Sequence, residues 1–103
     1  MTTEAELYEA LKYRIDVNPD TGTRSYRNAA GQLHRTDGPA IIFPNGTAMW
    51  FLNGVRHRTY GPAIVWPGGT KEWWLNGVVY TKREYYLQLK TLGTLHDHSS
   101  KTI

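Results

Sequence analysis

The feature that most constrains this chain is an internal near-copy. His34 to Val55 reads HRTDGPAIIFPNGTAMWFLNGV, and His57 to Val78 reads HRTYGPAIVWPGGTKEWWLNGV. Fifteen of the 22 positions are identical, and several differences are mild: Ile42 against Val65, Phe43 against Trp66, Phe51 against Trp74. Two stretches this alike must fold alike. The fold is therefore one in which a unit of 23 residues can lie beside its own copy. A worn copy stands upstream, where Pro19-Asp20-Thr21-Gly22-Thr23 mirrors Pro44 to Thr47 with one residue inserted and Tyr26 replaces Trp50 and Trp73. Asn76-Gly77-Val78-Val79-Tyr80 starts another copy that stops at Thr81, which makes about two and a half to three units.

Each unit reads as a β-hairpin plus a connector. Gly38-Pro39 and Gly61-Pro62 open the outgoing strand, a position where the missing N–H of proline costs nothing. Ala40 to Phe43 is rich in strand-favouring residues, Pro44-Asn45-Gly46-Thr47 is a turn, Thr47 to Leu52 returns, and Asn53-Gly54 makes the next reversal. Consecutive hairpins predict one long antiparallel meander. Trp50 and Leu52, like Trp73 and Leu75, are spaced by two and share a face, taken here as the core face; Phe51 and Trp74 point the other way. A two-residue turn at Asn45-Gly46 pairs Ile41 with Trp50, whereas a three-residue turn with a glycine bulge pairs Ala40 with Trp50. The sequence leaves both registers open.

The ends read as helices. Thr3 and Glu6, and again Thr81 and Glu84, have capping-box spacing, which predicts helices over about 4–12 and 82–92, with Gly93 at the end of the second. Such ends suit caps for the exposed core of an array. Residues 94–103 are polar and predicted to be a flexible tail. The expectation is one domain over 1–103: mainly β (α+β), an antiparallel meander of tandem 23-residue hairpins with N- and C-terminal capping helices.

Composition narrows the function classes. There is no cysteine, so no disulfide and no thiolate metal site. No apolar run approaches the roughly 18 residues of a membrane span, and the acidic start Met1 to Ala10 is unlike a signal peptide, so a cytoplasmic setting is expected. Aromatic residues make up 13% of the chain, with four Trp and seven Tyr, so a few large side chains can build a thin core. From Arg24 to Lys71 the basic residues are Arg24, Arg27, Arg35, Arg56, Arg58 and Lys71, opposed only by Asp37. That imbalance favours an acidic partner or nucleic acid.

Taken together, Asn53-Gly54, His57-Arg58, Gly61-Pro62-Ala63, Gly69-Thr70, Trp73 and Asn76-Gly77 resemble the MORN-like repeats of phage, bacterial and giant-virus proteins, over roughly Thr23 to Tyr80. The match to MORN repeats proper is architectural, since those carry Tyr-x-Gly and Gly-x-Gly patterns in place of Gly-Pro-Ala and His-Arg. The resemblance implies a scaffold or interaction role and carries over no catalytic residue, cofactor or metal. Small phage proteins commonly inhibit host factors, a habit of phage genomes and not a property of these residues; for a phage-encoded protein the expected partner is thus a host factor in the host cytoplasm.

No catalytic constellation assembles. His34, Asp37 and Ser25 have no triad spacing, Tyr60 replaces Asp37 in the second copy, Pro67-Gly68-Gly69-Thr70 lacks the lysine of a phosphate loop, and His96-Asp97-His98 sits in the tail. The His-Arg pairs read first as structural, fixing the connector by hydrogen bonds to Asp37 or to backbone carbonyls. Trp66, Trp74, Phe51 and Tyr60 read either as a second core beneath a helix, expected for at least half of them, or as exposed stacking groups. The expected function is a non-enzymatic protein-binding module that modulates or inhibits a host defence protein. Its expected contact residues are Arg35, Arg56, Arg58, Tyr60 and Trp74. The alternatives are nucleic-acid binding by the same basic aromatic face, and a homo-oligomer joined through open sheet edges.

Overall fold

The computed structural model describes residues 3–92. The expected tail, His96-Asp97-His98 and Gly93 lie outside the described residues. The described chain is mainly antiparallel β-sheet with a helix near each end. In order the elements are α1 (Glu4–Lys12), β1 (Arg14–Val17), β2 (Arg24–Arg27), β3 (Ile41–Ile42), β4 (Ala48–Met49), β5 (Phe51–Leu52), β6 (Val55–Arg56), β7 (Ile64–Val65), β8 (Lys71–Leu75), β9 (Val78–Tyr80) and α2 (Lys82–Thr91).

Both helices start on reciprocal caps. Thr81 Oγ1 accepts from Glu84 N while Glu84 Oε1 accepts from Thr81 N, each at 3.1 Å. Thr3 and Glu6 repeat this exchange at 3.1 and 2.7 Å. Each box satisfies two of the amide donors that a helix start otherwise leaves unpaired.

The glycine-bulge register is the one adopted. Ile41 faces Met49 and Ile42 faces Ala48, closed by Phe43 N donating to Thr47 O and Gly46 N to Phe43 O. The second hairpin pairs Ile64 with Glu72 and Val65 with Lys71, with the same two bonds at Trp66, Thr70 and Gly69. Carried one residue further, these registers line up Tyr26, Ala40, Trp50, Ala63 and Trp73 across the sheet. Large rings alternate with alanines, and Ala40 and Ala63 have no exposed surface. A larger residue in Gly-Pro-Ala would collide with the rings on either side.

The sheet is not one continuous meander. Seven strands run in the order β1-β2-β3-β4-β7-β8-β9, and β5-β6 form a separate pair. The return strand changes partners at Trp50. Trp50 N donates to Ala63 O, in the large sheet, whereas Phe51 O accepts from Arg35 N, in the first connector. Beyond that point β5 turns back on β6 through Asn53-Gly54, with φ of 49° and 81°, the left-handed pair that a type I′ turn requires. Asn76-Gly77 repeats this between β8 and β9.

The best-buried cluster lies under α2, where Leu75, Tyr85 and Leu89 are packed by Trp73, Tyr80 and Tyr86. α2 therefore covers the Trp73 and Leu75 face of β8. Among the described residues, the expected second core of Trp66, Trp74, Phe51 and Tyr60 beneath a helix does not form. Trp74 lies on the opposite face of β8, and Tyr60 is 59% exposed.

Candidate functional site

The two connectors, residues 34–39 and 57–62, build the site by an identical scheme. His34 N donates to Tyr26 O and His57 N to Trp50 O; Arg35 N donates to Phe51 O and Arg58 N to Trp74 O. The imidazole Nδ1 of His34 accepts from Asn53 N, and that of His57 from Asn76 N, both at 2.9 Å. Each histidine thereby holds the next Asn-Gly turn. Burial lowers the His57 pKa below the ordinary imidazole value, the form that can accept this bond.

Each arginine folds back across an aromatic ring. The Arg35 guanidinium lies 3.9 Å from the Tyr26 ring centroid and that of Arg58 lies 4.0 Å from that of Trp50. Lys82 lies 5.8 Å from Trp73. Each ring in the Tyr26, Trp50, Trp73 row thus carries a cation on its face. Arg35 also donates to Pro39 O and Arg58 to Pro62 O, at 3.3 and 3.0 Å. The returning guanidinium needs a bare glycine. A Cβ on Gly38 or Gly61 would lie 2.9 or 2.8 Å from the arginine Cζ, and Gly61 has a φ of 147°.

A tyrosine from outside the near-copies pins each connector. Tyr13, buried edge-on against Tyr26 at 5.7 Å, accepts from Thr36 N at 3.0 Å and donates to Asp37 Oδ1 at 3.2 Å. Tyr85, on α2, donates to Arg58 O and accepts from Gly61 N at 3.3 Å. Burial would raise the Asp37 carboxyl, but the Tyr13 hydroxyl, Lys12 and Arg35 outweigh it and lower its pKa.

Between the connectors runs a groove of about 400 Å³, lined among others by Arg35, Trp50, His57, Arg58, Thr59 and Tyr60. Three expected contact residues, Arg35, Arg58 and Tyr60, meet here. Arg56 and Trp74 do not line it. They lie together elsewhere, with the Arg56 guanidinium 4.7 Å from the Trp74 ring and 5.2 Å from that of Phe51. Glu72 accepts there from the indole N–H of both Trp66 and Trp74 at 2.9 Å. Sequence reasoning missed Trp50 and His57 as groove residues because their identity in both copies marks them as structural, and it passed over Tyr13 and Tyr85.

Chemically the groove offers guanidinium and hydroxyl donors beside an exposed phenol. His34, Asp37 and Ser25 form no relay, since His34 Nδ1 is held by Asn53 and Asp37 by Tyr13 and Arg35. No protein-family model, curated protein or solved structure matches this chain.

Proposed function

We propose that this protein is a non-enzymatic binding module whose groove between the connectors receives another protein. The observation that carries the reading is Arg58, stacked on Trp50 beside the exposed Tyr60, in a groove whose walls are held from behind by Tyr13 and Tyr85. Arg, Tyr and Trp on a preorganised backbone are the residues that dominate protein interfaces. In this reading the two near-identical stretches are tandem MORN-like units and the helices are their end caps. The recurring hydrogen bonds and the packing of α2 on Leu75 support that view. The MORN-like resemblance extends the proposal to a phage-encoded protein that binds and modulates a host defence protein in the host cytoplasm.

The test is site-specific photocrosslinking. A benzophenone side chain at Thr36 or Thr59, on the groove, is expected to trap one protein repeatedly from host lysate. The same group at Thr21, remote from the groove, is expected to trap none. Equal yields from the two places would sink the proposal.

Nucleic-acid binding finds its best support outside the groove, where Arg56 stacks on Trp74. The Glu72 carboxylate bonded to that indole opposes a phosphate backbone. A homo-oligomer would use the outer edge of β9, where Val78 and Val79 are 51% and 52% exposed. Light scattering that gives a monomer mass at high concentration would remove it.

A further inference from the structure

The two connectors differ at one position on the groove. In the first, Asp37 follows Arg35 by two residues and its Oδ1 lies 3.3 Å from Arg35 Nε. In the second, Tyr60 occupies the place of Asp37. Three contacts that position the guanidinium recur in both connectors: the backbone bond to the neighbouring strand, the stacking on a ring, and the bond to the proline carbonyl. Arg58 thus adopts the pose of Arg35 without the carboxylate that answers it, and among the described residues Arg58 forms no ion pair. Burial pushes the Arg58 pKa below the usual arginine value, outweighing the opposing influence of the nearby Tyr85 and Tyr86 hydroxyls.

We infer that Arg58 receives a carboxylate in trans: an Asp or Glu side chain of an acidic segment of the partner protein, seated where Asp37 sits beside Arg35. This rests on the binding reading above and names the chemistry of its partner. A carboxylate is favoured over a phosphate backbone because the chain itself answers this guanidinium pose with one. The groove also suits a single anion rather than a polyanion, since Arg35 is already paired with Asp37 across from Arg58. One phosphate contact gives a salt slope of only about −0.9, far below that of a nucleic-acid-binding protein. The guanidinium fork offers a partner carboxylate paired N–H donors at close range.

Tyr60→Asp supplies the carboxylate in cis and leaves Arg58 in place; Tyr60→Asn is its uncharged control. The probe is a short fluorescein-labelled peptide of alternating Glu and Gly, read by anisotropy against the full chain at low salt. The expected result is binding by wild type and Tyr60→Asn, with Tyr60→Asp weaker by about tenfold or more. Asp37→Asn, which removes the carboxylate beside Arg35, is expected to tighten binding. Circular dichroism checks that each variant is folded. Failure of the wild type to bind the peptide overturns the inference. So do equal affinities of Tyr60→Asp and Tyr60→Asn, or tighter, Arg58-dependent binding of a single-stranded oligonucleotide of matched charge. Crosslinking at Thr36 and Thr59 separates the two levels: groove adducts with no effect of Tyr60→Asp retire the carboxylate alone, and absence of groove adducts retires the binding surface.

Discussion

Tyr85→Phe removes one oxygen from a fully buried ring and leaves the packing volume of α2 unchanged. That oxygen donates to Arg58 O and accepts from the amide of Gly61, itself buried. Water has little access to replace it. The loss combines about 1 kcal/mol for the bond to the carbonyl with about 1–3 kcal/mol for leaving a buried N–H unpaired, which together come to about 2–4 kcal/mol. For a domain of this size even the lower figure lowers Tm by about 8–16 °C. Tyr13→Phe is the internal comparison, because its partners Thr36 and Asp37 are exposed and water can replace the hydroxyl; about 1 kcal/mol or less is expected. Urea unfolding followed by circular dichroism, with an unchanged m-value, measures both. Faster amide exchange at Gly61 in Tyr85→Phe, but not in Tyr13→Phe, should accompany the loss. A Tyr85→Phe cost below about 0.5 kcal/mol, within the range of ordinary surface changes, refutes the claim that α2 holds the second connector through this hydroxyl.

Gly61→Ala places a Cβ 2.8 Å from Arg58 Cζ at a φ of 147°, so it is expected to cost about 1–3 kcal/mol and to displace the guanidinium from Trp50. A red-shifted tryptophan emission together with the lost stability would show both effects. Because the folded His57 pKa is lowered by burial, the unfolded chain binds more protons once the pH falls below the ordinary 6.5. Stability is then full above that pH and declines below it; His57→Gln should flatten the decline in a pH series of urea midpoints. Glu72→Ala strips the acceptor from the Trp66 and Trp74 indoles and is expected to cost about 1–2 kcal/mol by thermal unfolding.

Turn chemistry carried most of what was legible in the sequence. Asn-Gly marked both type I′ turns, and Pro-x-Gly-Thr marked the two hairpins. The spacing of Thr and Glu marked both helix starts to the residue. The break at Trp50 was not legible, because which carbonyl takes each amide depends on where the connector from the far side arrives. That break also scatters the expected contact residues. Arg56 and Arg58 are two apart and would share a face if the strand ran on, but β6 ends at Arg56 and the alternation stops there. The change from Asp37 to Tyr60 was visible as a difference between copies. Its meaning, a stacked arginine without a carboxylate, needed the fold. Tyr13 and Tyr85 lie outside the copied stretch, so no periodicity points to them.

Chemical-shift mapping on the ¹⁵N-labelled chain, titrated with the acidic Glu-Gly peptide, tests the groove most directly. The expected result is a contiguous set of shifting amides over residues 35–38 and 57–60, with the Arg58 side-chain Nε–H among the largest changes. Shifts centred on Phe51, Arg56 and Trp74, or no shifts at peptide excess, would contradict it.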